Sequence, residues 1–448
     1  MKKFYYCVAW ALLGLVACTT EKDEVVGEYE NQQAAVPHLV TMEQARDKVE
    51  NMLAAFDPPT RGSAREIDES FTVGGFGATR SAEGEEEPLY YVFNLGDNEG
   101  FVVASGDDRT PAVFCITDQG EYNPGDTLTV NAGLAMLLWE YDAAYREAVG
   151  LPVTTPDGDI IYPNNTPGDG AIDDWTVIGG TPRITTTTSP YEVKTRGTLL
   201  PCSWGQEDPF NMYMEKKDGE RCVTGCGAVA VAQIMCHYCY PSSIGGYALD
   251  WDKMRTANSA ADPGIGGVAR LMQQLTTSTY LNSSVGVEET GTSDGRIQKA
   301  FEKLGYHCSK ESDYLPATLI EAICANGRPV LMSGWAKENV TEVLGIKITT
   351  YDEGHYWVCD VIKSCTCTIN MYVNGQLVSS RAEGDYYVHC NWGWNGVFNG
   401  YFLPWQFDAT HPLDKQMENE FADKTRSLAS GEDDYFQFDL SMWHEIYR

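Results

Sequence analysis

The chain has 448 residues, of which 64 are Asp or Glu and 32 are Lys or Arg, so its formal net charge is −32. Nucleic acid, itself a polyanion, would repel a chain this acidic, which argues against nucleic acid as a partner. The length exceeds that of one ordinary domain and suits two, and a hydrophobic content of 43% can fill their cores.

The N-terminus is typical of an export signal. Lys2 and Lys3 precede a mostly apolar stretch, 4–16, that is too short to span a bilayer. The stretch ends at Leu15-Val16-Ala17-Cys18, which looks like a bacterial lipobox, where the cysteine becomes the lipidated first residue of the mature chain. An ordinary signal peptide with a chance cysteine is the alternative.

We therefore predict a lipoprotein signal peptide at 1–18 and a polar tether at 19–37. The predicted location is outside the cytoplasm, with the lipid on Cys18 holding the protein at the outer membrane, on its periplasmic or its outer face, and with release after maturation as a further option. No other segment has 18 uninterrupted apolar residues, so we expect no membrane-spanning helix.

Residues 38–150 have the pattern of a compact α+β unit. Apolar residues at helical spacing after a capping Thr41 predict a helix at 41–56. A Gly-, Ser- and Glu-rich stretch, 57–88, predicts a loop. The other predicted elements are strands at 89–94, 100–105 and 112–116 and a second amphipathic helix at 134–149.

Residues 151–195 are rich in Pro, Gly, Asp and Thr and predict a linker. Lys194, Arg196 and Gly197 stand at its end. We interpret this end as accessible to proteases and as the region of a maturation cleavage.

Residues 196–448 form the larger predicted domain, with helices in its first half and strands in its second. The predicted helices start at Cys226 and span 264–277, 294–304 and 317–325. The predicted strands are 330–335, 345–351, 356–362, 368–373, 386–391 and 400–403. Helices followed by an antiparallel sheet indicate an α+β fold, and a cleft between the two halves is the expected active site.

The cysteines do not define a disulfide pattern. Of 14 cysteines, setting aside Cys7, Cys18 and Cys226 leaves 11, which cannot all pair. Pairs such as Cys236 with Cys239 and Cys365 with Cys367 suggest zinc, but a metal site needs about four convergent ligands. Packing of these thiols as small hydrophobes is the favoured interpretation, so we predict no metal and no cofactor.

The strongest functional signal is Cys226 at the start of a helix, combined with a distant His355. A helix N-terminus and a nearby imidazolium both favour a thiolate over the ordinary thiol. Gly225, a predicted substrate-binding residue, permits the tight turn before the helix, and Gly227 with Ala228 leaves room for the substrate backbone. His355 lies 129 residues downstream (355 − 226), close to the spacing of papain-type enzymes, and would give its proton to the leaving amine. Each residue alone would be an ordinary buried thiol or strand histidine; together they predict a catalytic pair.

An oxyanion site is also predicted. The backbone N–H of Cys226, at a helix start, is one candidate donor. Gln206 lies in Trp-Gly-Gln-Glu-Asp-Pro-Phe-Asn (204–211), where a loop can direct a side-chain amide into a cleft. In isolation it would be interpreted as a surface glutamine.

Four motifs together resemble the streptopain (C10) family of cysteine peptidases, including the interpain-type proteases of Gram-negative anaerobes. The motifs are Trp-Gly-Gln-x-x-Pro-Phe-Asn, Thr-Gly-Cys-x-Ala-x-Ala-x-Ala-Gln-Ile-Met, Gly-His-x-x-Val, and His-x-Asn-Trp-Gly-Trp-x-Gly-x-x-x-Gly-Tyr-Phe. The segment 89–109 resembles the family's inhibitory prodomain more weakly. The resemblance implies a papain-like two-lobed catalytic domain at 196–448 preceded by an α+β inhibitory prodomain at 38–150.

The resemblance also implies residue roles. Cys226 matches the nucleophile, His355 its base and Gln206 the oxyanion glutamine. Asn391 stands where an orienting amide is expected. Trp392 matches the aromatic residue that packs on the catalytic imidazole, which leaves Trp394 to fill the core.

Substrate contacts are implied for Gly354, through its backbone, and for Ser293 in Gly-Thr-Ser (291–293), where the family has a Ser-rich loop. Two features depart from the family pattern: Cys222 close before the nucleophile, and Val-Cys-Asp-Val at 358–361.

The expected function is that of an exported, lipid-anchored cysteine endopeptidase made as a zymogen. Residues 38–195 would block the cleft until they are cleaved. The expected partners are protein or peptide substrates and the chain's own prodomain as inhibitor, with membrane contact only through the lipid. The alternatives are a transglutaminase or amidase with the same Cys–His chemistry, and a catalytically silent surface-binding lipoprotein.

Overall fold

The structure is a computed structural model that describes residues 38–57, 65–73, 88–123, 128–130, 141, 153–154, 160–161, 184–311, 316–335, 341–343, 346–350, 354–373, 375–404 and 441–448. The helices are α1 Met42–Phe56, α2 Cys226–Tyr238, α3 Trp251–Met254, α4 Ile265–Thr276, α5 Asp294–Leu304 and α6 Pro316–Asn326. The strands are β1 Ile67–Val73, β2 Tyr90–Leu95, β3 Phe101–Ser105, β4 Val113–Thr117, β5 Leu128–Val130, β6 Val153–Thr154, β7 Ile160–Ile161, β8 Ile184–Thr188, β9 Glu192–Gly197, β10 Lys216–Lys217, β11 Glu220–Arg221, β12 Ser243–Ile244, β13 Tyr247–Ala248, β14 His307–Glu311, β15 Val330–Trp335, β16 Thr341–Val343, β17 Ile346–Thr350, β18 Gly354–Val373, β19 Gln376–Asn391, β20 Gly400–Phe402 and β21 Ser441–Tyr447.

One large antiparallel sheet joins the two predicted regions. Twelve of the described strands form it, in the order β1-β2-β3-β4-β20-β19-β18-β15-β21-β14. The two remaining strands, β9 and β8, pair with β18 farther along, beyond its pairing with β15. The junction between the regions is the pairing of β4 with β20, in which Thr117 lies opposite Gly400.

The first helix forms as its sequence predicts. Thr41 accepts from the backbone of Gln44, and the Gln44 side chain accepts from the backbone N–H of Thr41, which is a complete capping box. The apolar face of α1 is buried at Ala45, Val49, Met52, Leu53 and Phe56. These residues pack in one core with β2, β3 and β4.

Two predictions of irregular structure are wrong in part. The predicted loop 57–88 contains β1, whose sequence has only Val73 buried and pairs with β2 at the sheet edge. The predicted linker 151–195 ends in β8 and β9, which pair with β18. In both cases the strand is defined by its partner rather than by local hydrophobic alternation, since most of its described side chains are not buried.

The proposed cleavage residues therefore have a different setting from the one expected. Lys194 and Arg196 lie within β9, opposite Ser364 and Ile362 of β18. Their side chains are exposed, but their backbone belongs to the sheet. The predicted segments 1–18 and 19–37, and most of the predicted helix 134–149, lie outside the described residues, apart from Tyr141, which is helical.

The region from residue 196 onward has the predicted α+β order. The predicted helices correspond to α2, α4, α5 and α6, and β15 has the predicted bounds. The two strands predicted at 356–362 and 368–373 are one continuous strand, β18, paired along nearly its whole length with β19. The pairing of β14 with β21, a strand that the sequence pattern did not indicate, completes the sheet edge.

Strand β18 lies between two hydrophobic cores. Tyr356 and Val358 belong to the core around α2, α4 and α5, whereas Trp357 and Cys359 belong to the core that includes α1 and the N-terminal strands. Alternating residues of a strand point to opposite faces, so β18 can contact both cores at once. None of the described helices is both long and apolar enough to cross a membrane.

Candidate active site

Cys226 is the first residue of α2 and is half-buried. The preceding Gly225 has φ +83°, and a Cβ there would lie 2.3 Å from the carbonyl oxygen of Thr290, so both backbone conformation and space require glycine. The first hydrogen bonds of the helix run from the N–H groups of Ala228 and Val229 to the carbonyl of Gly225. The N–H of Cys226 is therefore among the helix N-terminal donors that the helix itself does not use.

His355 is the second residue of β18 and is 1% exposed. Its Nε2 lies 2.7 Å from the backbone oxygen of Trp392. Because a carbonyl only accepts, Nε2 carries a proton, and in the neutral ring the lone pair is on Nδ1. The ring of Trp394 packs edge-on against the imidazole, with ring centroids 6.2 Å apart and an interplanar angle of 87°. The histidine is thus oriented by one carbonyl and one indole.

The structure corrects the choice between the two tryptophans. Trp392 is fully buried, and its ring packs against Trp357 and Phe402. Its indole N–H donates to the carbonyl of Phe398 at 2.9 Å. Trp392 therefore contributes its backbone carbonyl to His355, and the ring placed beside the imidazole is that of Trp394.

Asn391 does not have the expected role of contacting the histidine through its side-chain amide. Its Nδ2 donates to the carbonyl of Cys202 at 2.8 Å, and its Oδ1 accepts from Nε2 of Gln233 at 2.8 Å. The backbone N–H of Gly393 also donates to Oδ1, at 3.3 Å. Asn391 consequently connects α2 to the segment that carries Trp392 and Trp394. It supports this segment without contacting His355 through its amide.

Gln206 lies next to the turn that leads into α2. Its backbone carbonyl accepts from the N–H of Thr224 at 3.0 Å and from the Thr224 hydroxyl at 3.3 Å. Its side chain is half-buried. The backbone of Gln206 is thus bound to Thr224, which lies two residues before the nucleophile.

The predicted substrate-binding residues have different settings. Gly354 is half-buried and pairs with Trp335 at the start of β18. Ser293 is exposed and caps α5 without a side-chain hydrogen bond to the helix. The loop before it packs under the nucleophile turn, because a Cβ at Gly227 would lie 2.7 Å from Cγ2 of Thr292.

Sequence reasoning missed one polar contact of the site, between Tyr356 and Asp294. The Tyr356 hydroxyl donates to Oδ1 of Asp294 at 2.7 Å, and Lys310 pairs with the other carboxylate oxygen at 2.9 Å. Burial, followed by the Asp294 carboxylate, raises the pKa of Tyr356. The signal available in the sequence was strand alternation: Tyr356 follows His355 and so faces the α2 core.

A continuous chain of contacts brings the four motifs together. Thr224 links Gln206 to the turn before Cys226, and Gln233 links α2 to Asn391. The carbonyl of Trp392 then holds His355. The N–H of Asn395 closes the circle by donating to the carbonyl of Trp204, next to the Gln206 loop, at 3.4 Å.

Comparison with protein families finds two matches along the chain. Residues 204–402 match the model of the Peptidase C10 family. Residues 37–145 match the model of the Spi protease inhibitor. The first range contains all four motifs of the candidate site.

Two curated relatives match over most of the chain. The thiol protease/hemagglutinin PrtT of Porphyromonas gingivalis is 24% identical over 393 residues, which are 81% of this chain and 38% of that protein. Streptopain of Streptococcus pyogenes is 22% identical over 341 residues, 72% of this chain and 74% of that protein. The chain thus spans about two fifths of the length of PrtT.

Solved structures of Prevotella intermedia proteins are also similar. A prointerpain A fragment is 18% identical with a TM-score of 0.43, covering 84% of this chain and 99% of that chain. Active wild-type interpain A cysteine protease is 22% identical with a TM-score of 0.34, covering 47% and 86%. Residues 204–402, which hold the motifs of the nucleophile, the histidine and the tryptophan segment, thus match the Peptidase C10 family of cysteine peptidases.

Proposed function

We propose that the chain is a cysteine endopeptidase, made as a zymogen, that hydrolyses peptide bonds through a Cys226–His355 pair. The observations that carry the proposal are a thiol at the start of α2 and, on the strand β18 that packs against this helix, an imidazole whose Nε2 is bound to the Trp392 carbonyl. We assign Nδ1 of His355, the nitrogen with the lone pair in the neutral ring, to exchange a proton with the thiol. The resulting thiolate attacks the peptide carbonyl, and the imidazolium then protonates the leaving amine.

We assign the oxyanion of the tetrahedral intermediate to two donors. One is the backbone N–H of Cys226, which α2 does not use. The other is the side-chain amide of Gln206, whose backbone is held by Thr224 beside the nucleophile turn. Water then hydrolyses the acyl-enzyme with His355 as general base, so that the cysteine is regenerated.

The N-terminal region is proposed to keep the peptidase latent until it is cleaved away. Support comes from its match to the Spi protease inhibitor model and from its strands β1–β4, which extend the peptidase sheet through β20. Protein and peptide substrates are the proposed partners of the mature enzyme.

Export and lipid anchoring through Cys18 are proposed from the sequence alone. Metabolic labelling with a radioactive fatty acid should label the parent chain in a bacterial host, and Cys18→Ser should remove the label. Labelling that persists in Cys18→Ser would contradict the lipid assignment while leaving the peptidase untouched.

The peptidase assignment is tested by replacing the nucleophile. Cys226→Ala should abolish casein hydrolysis and self-processing, because the mutation removes the attacking sulfur and leaves the helix N-terminus in place. The matched control is Cys222→Ala, which removes a fully buried thiol four residues earlier and should retain activity. Mass mapping after reaction with the epoxide E-64 should place the label on Cys226.

Two results would overturn the assignment: casein hydrolysis by purified Cys226→Ala, or absence of an E-64 label on the parent chain after its N-terminal region has been cleaved away. Transfer of the acyl group to an added amine in preference to water would indicate a transglutaminase instead. Measurement of amine incorporation in the same assay separates these two outcomes.

A further inference from the structure

A second cluster of aromatic and charged side chains lies where the N-terminal region meets the peptidase sheet. Lys363, Tyr387 and Tyr401, on the adjacent strands β18, β19 and β20, form what we call the Phe56 socket. Phe56, the last residue of α1, packs edge-on against Tyr387 at 5.4 Å and against Tyr401 at 5.0 Å between ring centroids. The ring is 2% exposed.

Lys363 contacts Phe56 in two ways. Its Nζ donates to the carbonyl of Phe56 at 2.6 Å, where the end of α1 leaves carbonyl groups without helical partners. The same Nζ lies 4.3 Å from the centroid of the Phe56 ring and 4.2 Å from that of Tyr401. A cation between two ring faces and a helix end is a favourable and geometrically specific arrangement. Burial lowers the pKa of Lys363 to about 8, and the nearby Arg65 acts in the same direction. Asp118, Asp57 and Cys365 act in the opposite direction and raise this pKa, but they do not outweigh burial.

Charges on the two sides of this interface are complementary. On the N-terminal side, Arg65 pairs with Asp57 at 3.0 Å and with Asp118 at 3.5 Å. On the peptidase side, His389 lies between Asp360, at 2.7 Å, and Asp118, at 3.4 Å. With His389 protonated, the groups His389, Lys363 and Asp360 on the peptidase side sum to +1, and the groups Arg65, Asp57 and Asp118 on the N-terminal side sum to −1.

The Phe56 socket is separated from His355 along strand β18. Lys363 follows His355 by eight residues on the same strand. At about 3.3 Å per residue, this places the socket about 26 Å from His355 along β18. A contact here can hold the N-terminal region without touching the reacting groups.

We propose that the Phe56 socket is a binding site of the peptidase region for an aromatic residue at the end of a helix that is followed by a carboxylate. Its occupant in this chain is Phe56 with Asp57. The site anchors the N-terminal region, and the pairing of β4 with β20 depends on it. The inference extends the proposed function, because it names the place at which the inhibitory region is held.

The test uses the full-length chain with Cys226→Ala, which prevents self-cleavage, and measures amide hydrogen exchange. Phe56→Leu and Lys363→Met should each speed exchange in β4 and β20 by about 10-fold or more, since each removes ring or cation contacts. The double variant should speed exchange by less than the product of the two single effects, because both changes remove the contact between the Lys363 cation and the Phe56 ring. Exchange in β15 and in the β15-paired part of β18 should stay unchanged.

Two further variants make the result specific. Phe71→Leu, whose ring packs on Tyr122 within the N-terminal region, should leave exchange in β20 unchanged. Lys363→Arg keeps the cation and should bring exchange back to within about threefold of the parent chain.

Three outcomes would overturn the proposal. The first is an unchanged rate of amide exchange in β4 and β20 of Phe56→Leu. The others are a double variant whose effect on the exchange rate equals the product of the two single effects, and exchange in Lys363→Arg as fast as in Lys363→Met. This test does not depend on peptidase activity, because no peptide bond is cleaved in it. A negative result would therefore reject the role of the Phe56 socket and leave the peptidase assignment unaffected. If the peptidase assignment were wrong, the role of the socket could still be tested in the same way.

Discussion

At the scale of single residues, the site is defined by which atom of each motif is used. Trp392 acts through its carbonyl and Trp394 through its ring, although the two differ by only two positions in the same segment. Asn391 acts through its amide, but on Gln233 and Cys202 rather than on the histidine. Within this one motif, Trp392 and Trp394 orient the imidazole, and Asn391 holds the backbone that carries them.

This division predicts opposite phenotypes for two matched substitutions. Trp394→Leu should lower kcat/KM about 2- to 10-fold with little change in stability, because it removes an edge-on ring contact worth about 0.5–1.5 kcal/mol from a half-buried side chain. Trp392→Leu should lower the free energy of unfolding by about 3 kcal/mol, because it opens a cavity among fully buried rings. Peptide hydrolysis and urea unfolding of both variants check this prediction. A larger loss of activity in Trp392→Leu together with a larger loss of stability in Trp394→Leu would show that Trp392 is the residue in contact with the imidazole.

At the scale of elements, the junction of β4 and β20 connects an inhibitor-like region to the peptidase sheet. The backbones approach closely at Gly400, where a Cβ would lie 2.3 Å from the carbonyl oxygen of Ile116. Tyr387 adds a hydrogen bond from its hydroxyl to the carbonyl of Val113 at 3.0 Å, and Tyr141 adds one to the carbonyl of Leu403 at 2.6 Å. The junction thus depends on backbone pairing supported by two tyrosines.

Gly400→Ala should weaken this junction. The added methyl group cannot fit against β4, so we expect a loss of about 1–3 kcal/mol and faster amide exchange in β4 than in β15. The control is Gly295→Ala in α5, where nothing lies within 4 Å of the new methyl group and alanine favours the helix. Equal exchange in β4 for parent and Gly400→Ala would contradict this prediction.

At the scale of the whole molecule, burial of charge makes stability depend on pH. Burial lowers the pKa of His389, but the carboxylates of Asp360 and Asp118 outweigh it and raise the pKa to about 10. The histidine is therefore protonated in the folded protein at pH values where the unfolded chain has lost the proton. Its contribution to stability is complete below pH 6.5 and is lost as pH rises toward 10.

The measurement is urea unfolding of the Cys226→Ala chain with and without His389→Gln, between pH 6.5 and 8. The difference in unfolding free energy between the two chains should shrink by up to about 1.4 kcal/mol per pH unit. Lys363, with its lowered pKa, has the opposite slope above about pH 8, and Asp385, whose pKa burial and Glu383 raise to about 7, titrates in both chains. A difference that stays constant or grows with pH would show that His389 is not held protonated.

The sequence by itself determined the local elements and the chemistry-bearing residues. The capped helix from Thr41, the glycine turn before Cys226 and the strand bounds of β15 follow from short-range patterns, because caps, turns and buried runs are local. The thiol and the histidine could be named because few residue types perform this chemistry.

Only the tertiary structure decided which atoms meet. Strand β1 and strands β8 and β9 have little hydrophobic alternation and exist through pairing with β2 and β18. Whether Trp392 or Trp394 faces His355, whether Asn391 reaches it, and whether Phe56 meets Lys363 across 307 residues of sequence depend on packing between distant segments. Such contacts leave no periodic trace in the sequence, because each is set by the relative placement of whole elements rather than by the neighbours of either residue.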